Sequence, residues 1–144
     1  MVVAEAMKNF IVIPGEMVCL NEYIDVERAN RYGAAAIKKA ETDRVAWTVR
    51  ALRVKPITDL CDFRFIWYVP NKRKDPDNIH FSAKFLFDGL VEAGVLPKDS
   101  QRYVGAVLHE RIQIDAKNPR VIVEIMKTSN VETNQQTNGG EQKI

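Results

Sequence analysis

Phe63–Gly94, FRFIWYVPNKRKDPDNIHFSAKFLFDGLVEAG, changes its periodicity halfway along. Its first seven residues are aromatic and β-branched and stop at Pro70, the signature of a strand. Asn71–Asp77 is a charged loop. Beyond it, Ile79, Ala83, Leu86, Leu90 and Ala93 recur at spacings of 4, 3, 4 and 3. That spacing makes one apolar stripe on a helix over Asn78–Ala93, a stripe that must face a sheet. Gly94 follows as a C′ glycine. Strand, charged loop and one-sided helix together require a layered α and β arrangement.

The flanking segments extend the pattern. Phe10–Ile13 is an apolar, β-branched run halted by Pro14-Gly15, a strand and a turn. Asp25–Leu52 reads as one or two helices that Gly33 weakens without breaking. Tyr103–Ile114 and Arg120–Met126 read as two strands joined by Asp115–Pro119 into an antiparallel hairpin. Val121, Val123 and Ile125 would form one face, and Arg120, Ile122 and Glu124 the other. The order β-α-β-α-β-β predicts an α+β domain of two layers over residues 8–127, a mixed sheet with helices on one face. From Thr128 the chain reads TSNVETNQQTNGGEQKI, too polar to offset its ordering entropy, and is expected to be a disordered tail; residues 1–7 are expected to fray.

Composition narrows the class. The chain has 144 residues, 46% hydrophobic and 28% charged, which suits one folded domain and excludes a wholly disordered or collagen-like chain. No apolar run approaches the roughly 20 residues of a membrane span. The first residues lack the basic start and apolar stretch of a secretory signal. Cys19 and Cys61 are too few for a disulfide scaffold or a four-thiolate zinc site and read as reduced structural thiols, consistent with the cytoplasm. A net charge of +2 does not by itself indicate nucleic acid. The placement of the charges has to make that case.

They are concentrated in one loop. Asp75-Pro76-Asp77 sets two carboxylates two residues apart, directly after Lys72-Arg73-Lys74. Pro76 forces Asp75 toward an extended conformation. Asp77 or Asn78 is also a natural helix N-cap, so a plain turn-and-cap explanation stands beside any chemical one. Asp99, in the turn Pro97–Ser100 beyond the helix, is a third acid and equally a routine turn residue. If the helical path extends back to Asp77, then Asp77, Lys84 and Asp88 fall within about 20° of one line, opposite the apolar stripe. An i,i+4 Lys84–Asp88 pair on a solvated face is the simpler account of that line. Several acids close together suit a hard cation such as Mg²⁺ or Mn²⁺, which lowers the pKa of bound water and neutralises a phosphodiester. Adjacent cations suit a phosphate backbone. A phosphodiester-cleaving enzyme accounts for acids and bases together; a turn beside a solvated charge run accounts for them separately. A ligand or proton-transfer role is open to His80, one turn into the helix and near the acids, with an ordinary partly exposed histidine the simpler account; His109 is assigned no role, Trp47, Trp67 and Tyr68 read as core aromatics, and Arg44, Arg50, Arg53 and Lys55 form a second basic run.

Asp75-Pro76-Asp77-Asn78, Lys84, Phe87-Asp88-Gly89-Leu90, Ala93-Gly94-Val95 and Asp99-Ser100-Gln101, in this order, resemble the RusA-like Holliday junction resolvases. The resemblance covers residues 9–126 and is sharp over about 30 of them. It implies a homodimeric, Mg²⁺- or Mn²⁺-dependent endodeoxyribonuclease that resolves four-way DNA junctions in recombination and repair, in a bacterial cytoplasm and of phage or prophage origin. It implies Asp75, Asp77 and Asp99 as metal-binding acids, Lys84 as the catalytic lysine, and Gly89 where the family often has alanine. Lys72, Arg73 and Lys74 would grip the DNA backbone. Between Asn78 and Lys84 the chain carries Ile79-His80-Phe81-Ser82-Ala83, about one helical turn more than the usual family form. Two alternatives stay open: a metal-dependent nuclease on other branched or duplex DNA, and a non-catalytic DNA-binding module.

Overall fold

The computed structural model describes residues 8–128. Thr128 is the only residue of the expected tail among them, and the expected fraying of residues 1–7 also falls outside them.

The elements are β1 (Lys8–Pro14), α1 (Leu20–Ala29), α2 (Arg31–Ala51), β2 (Cys61–Val69), α3 (Pro76–His80), α4 (Ala83–Glu92), β3 (Val104–His109), β4 (Gln113–Ile114) and β5 (Arg120–Lys127). The expected class holds: a mixed sheet with helices packed on one face. Its order is β1-β5-β2-β3, with β4 also on β2. β5 runs antiparallel to β1 and to β2, while β3 and β4 run parallel to β2.

Strict alternation along β2 sends Cys61, Phe63, Phe65, Trp67 and Val69 into the core, where they meet Ile11 and Ile13 of β1 and Val121, Val123 and Ile125 of β5. The stripe Ile79, Ala83, Leu86 and Leu90 closes that core from the helix side, as its spacing demands. Among the described residues no helix is long and apolar enough to cross a membrane.

Three local expectations are corrected. β5 forms no hairpin with the preceding strand; it is inserted between β1 and β2. Alternation identifies a strand's buried face but not its neighbours, and β5 is buried even at Glu124, which is 3% exposed and pairs with Arg64. The expected strand Tyr103–Ile114 is split into β3 and β4. Three steps along β2, from Phe65 to Tyr68, oppose four along the edge, from His109 to Gln113, which is a bulge.

The helix Asn78–Ala93 is broken as well. Ser82, 1% exposed, turns its hydroxyl onto the carbonyl of Val18, and the backbone tightens to Lys84 N–Phe81 O and Phe85 N–Ser82 O bonds. The single helical line joining Asp77 to Lys84 and Asp88 therefore does not exist.

The Asp25–Leu52 region resolves into two helices divided at Asn30, whose Oδ1 accepts from Tyr32 N and caps α2. Gly89 has a packing role beyond its helix propensity. A Cβ there would stand 2.4 Å from Cγ1 of Val45, so its absence lets α4 lie against α2. Trp67 is a core residue, but Trp47 is 72% exposed. Tyr68 lies half-buried beneath the Arg120 guanidinium, 3.7 Å away.

Candidate functional site

The two ends of β2 are built differently. At its carboxyl end the chain leaves Val69, crosses the basic loop and enters α3 at Pro76. Pro76 at the first helical position is pre-organised for that entry. The N-cap residue is Asp75, not Asp77 or Asn78, and its carboxylate makes no cap hydrogen bond. Asp77, in the first turn, is exposed, and its carboxylate has no hydrogen-bond or ion-pair partner among the described residues. Asn78 is 8% exposed and accepts from Asn21 N at 2.9 Å, tying α3 to the start of α1. The turn-and-cap explanation therefore accounts for Asn78 and Pro76 but leaves both carboxylates unexplained.

The basic loop is not uniform. Asn71 Oδ1 accepts from Arg73 N and fixes the turn, leaving Lys72 and Arg73 exposed. Lys74 instead bridges Glu16 at 2.9 Å and Glu22 at 3.0 Å. Burial opposes the charge on Lys74, but the two carboxylates outweigh it and hold the ammonium above the ordinary lysine value. Lys74 straps the loop to α1 and the end of β1, so of the three expected backbone cations two point to solvent.

Asp99 lies at the other end of β2. Ser100 O accepts from Tyr103 N and Val104 N, and Cys61 N donates to Tyr103 O, placing this turn beside the first residue of β2. Lys74 keeps Asp75 at the opposite end, because Glu16 follows Pro14, which pairs with Arg120, itself paired with Tyr68. The nine residues of β2 separate the two ends by about 26 Å at roughly 3.3 Å per residue. One chain thus brings Asp75 and Asp77 together and leaves Asp99 apart. Carboxylates are the right donors for Mg²⁺ or Mn²⁺, yet among the described residues no three His, Cys, Asp or Glu side chains are grouped closely enough to hold a metal ion. Lys84 is exposed on α4 and forms no pair with Asp88, whose Oδ2 is buried without a partner.

Beside the acids, beyond the carboxyl ends of β2 and β3, a groove of about 470 Å³ opens, with Pro76 in its wall. Its floor carries two histidines that sequence reasoning did not bring together. Their rings stack at 4.0 Å between centroids and 17° between planes. Trp67 Nε1 donates to His109 Nδ1 at 3.0 Å, so the neutral His109 carries its proton on Nε2. His80 Nε2 is buried and has no partner. Burial pushes the pKa of both imidazoles down; the field of Asp77 works against this at His80, and His80 adds to it at His109. The pairing follows from parallel β2 and β3, which bring His109 opposite Phe65, and from α3 folding back over that strand end. A spacing of 29 residues in sequence holds no signal of it.

No protein-family model matches the chain, and no curated protein is significantly similar to it.

Proposed function

We propose that the protein is a metal-dependent endodeoxyribonuclease acting on branched DNA, four-way junctions in the first place, with Asp75 and Asp77 as its acids. The observation that carries this is the pair of exposed carboxylates flanking Pro76, neither engaged in capping or pairing, beside the solvent-facing cations Lys72 and Arg73. Two carboxylates free of protein partners are available to a hard cation, and cations beside them suit a phosphate backbone. Lys72 and Arg73 hold that backbone and Lys84 faces the solvent side where it passes. The resemblance to RusA-like resolvases supports the same substrate class and a bacterial or phage setting.

Asp99 joins such a site only from a second copy. β3 is an edge strand, and antiparallel pairing of two β3 strands across a two-fold axis sets Val104 of one copy against His109 of the other. In that arrangement Asp99 of the second copy would come to the end that bears Asp75 and Asp77. A half-site of two acids in one chain is completed in this way to a three-carboxylate oxygen set. The separation of Asp99 within the chain also favours a second reading, a DNA-binding module without catalysis.

Mixing Asp77→Asn chains with Asp99→Asn chains tests the first reading. Half of the dimers are then mixed and hold one intact site of two, so junction nicking recovers to about a quarter of wild type while each variant alone is inactive. Binding without nicking by wild type at any Mg²⁺ or Mn²⁺ concentration would establish the module instead.

A further inference from the structure

The groove beyond β2 and β3 has a division of character that backbone binding alone does not explain. Its walls are Val69, Pro76, Ile79, Ile112 and Ile114, and its floor is the stacked His80–His109 pair. Its rim carries Lys72 and Arg111, neither in an ion pair among the described residues. The third cation near it, Lys74, is held by Glu16 and Glu22, and Glu110 is held by Arg64 at 2.7 Å. So the mouth is cationic, and the interior offers the open side of the imidazole stack and aliphatic walls, while His80 Nε2 itself is buried. The tautomer fixed by Trp67 gives His109 an Nε2 donor. An anion in the interior would face apolar walls; a planar heterocycle would stack and accept from His109 Nε2. The volume falls in the range of roughly 300–1,000 Å³ typical of small-molecule sites.

We propose that this groove is a nucleotide subsite: it takes one unstacked nucleobase of the DNA onto the His80–His109 floor, with the phosphate of that nucleotide on the Lys72–Arg111 rim. The inference rests on the nuclease reading for its substrate and adds a base-binding element to it. Bases at a branch point have lost part of their stacking, so extruding one there costs less than extruding one from an intact duplex. The subsite therefore selects for branched DNA. Its position beside Pro76 puts the neighbouring phosphate next to Asp75 and Asp77.

The test uses four-way junctions carrying 2-aminopurine at one branch-flanking position at a time, bound by the full chain in EDTA. A rise in fluorescence at one position is expected, because unstacking relieves quenching. Ile114→Trp fills the groove from an exposed position, 45% exposed in the wild type. It should abolish that rise and weaken junction binding by about tenfold, the scale of one lost base–aromatic stack. Lys72→Ala, on an exposed loop, should reduce the rise without changing the melting temperature. A junction that binds and is cut while every position stays quenched overturns the subsite and leaves the nuclease standing. A rise that survives Ile114→Trp also overturns it. Failure to bind junctions at all overturns both.

Discussion

The two ends of the central strand carry aspartates in opposite circumstances. At the amino end, Asp62 Oδ1 accepts from Ala106 N at 2.8 Å and from Thr128 Oγ1 at 3.1 Å, and stitches β2 to β3 and to the residue after β5. Gly105 permits this approach, since a Cβ there would stand 2.6 Å from that oxygen. At the carboxyl end Asp75 and Asp77 stitch nothing. Both ends are acidic, and composition does not distinguish them. What differs is whether the carboxylate satisfies the backbone around it. An acid that does is explained by the fold, and one that does not is left to solvent, where it is free to meet a ligand.

The sharpest way to break this contrast is to neutralise both kinds of acid. Asp77→Asn should reduce junction cleavage by about a hundredfold or more, the scale of losing a group that acts on the transition state, and leave the urea midpoint where it was. Asp62→Ala should do the reverse, costing about 1–2 kcal/mol through its lost hydrogen bonds with cleavage per folded molecule unchanged. If Asp77→Asn lowers the midpoint as Asp62→Ala does, Asp77 belongs to the structure and the contrast fails.

Gly89→Ala asks whether the helix side of the comparison is understood. Propensity alone favours alanine by about 1 kcal/mol. The 2.4 Å approach to Val45 predicts instead the overpacking penalty of about 1–3 kcal/mol. A denaturant melt gives the sign directly, and a stabilised variant would mean that α2 and α4 part at little cost.

The layers were legible because they depend on local periodicity. The alternation of Phe63–Val69 and the spacing of Ile79, Ala83, Leu86 and Leu90 each identify an element and its buried face with no knowledge of a partner. What failed was non-local. The insertion of β5 between β1 and β2 is a choice among equivalent faces. The break at Ser82 depends on the carbonyl of Val18, 64 residues away. The strap from Lys74 to Glu16 and Glu22 likewise joins segments more than 50 residues apart, and gives an expected DNA contact two carboxylate partners. At the candidate site, the pairing of Asp75 with Asp77 was legible because they stand two residues apart in the chain. Asp99 was grouped with them by motif order, which records sequence and not the length of the strand between them. The histidine pair went unseen because only the parallel register of β2 and β3 creates it.

That pair supplies the smallest expected effect and a check on the carboxyl end as a whole. Burial lowers both imidazole pKa values below the ordinary 6.5, and the stacked partner lowers His109 further. The unfolded chain therefore binds more protons than the folded one between 6.5 and those lowered values. Stability is full above 6.5 and falls as pH drops through this window, levelling off beneath the folded values. The carboxylates with lowered pKa, Glu22, Asp43 and Asp115, begin from 4.5 or below and lose their contribution at more acid pH, so the two effects separate. Urea midpoints measured from pH 7.5 to 5.0 should decline in wild type. His80→Phe keeps an aromatic ring over His109 and removes one of the two titrating groups, so its decline should be shallower. An identical slope in both proteins would show that the rings are not held together in solution, and the aromatic floor of the groove would go with them.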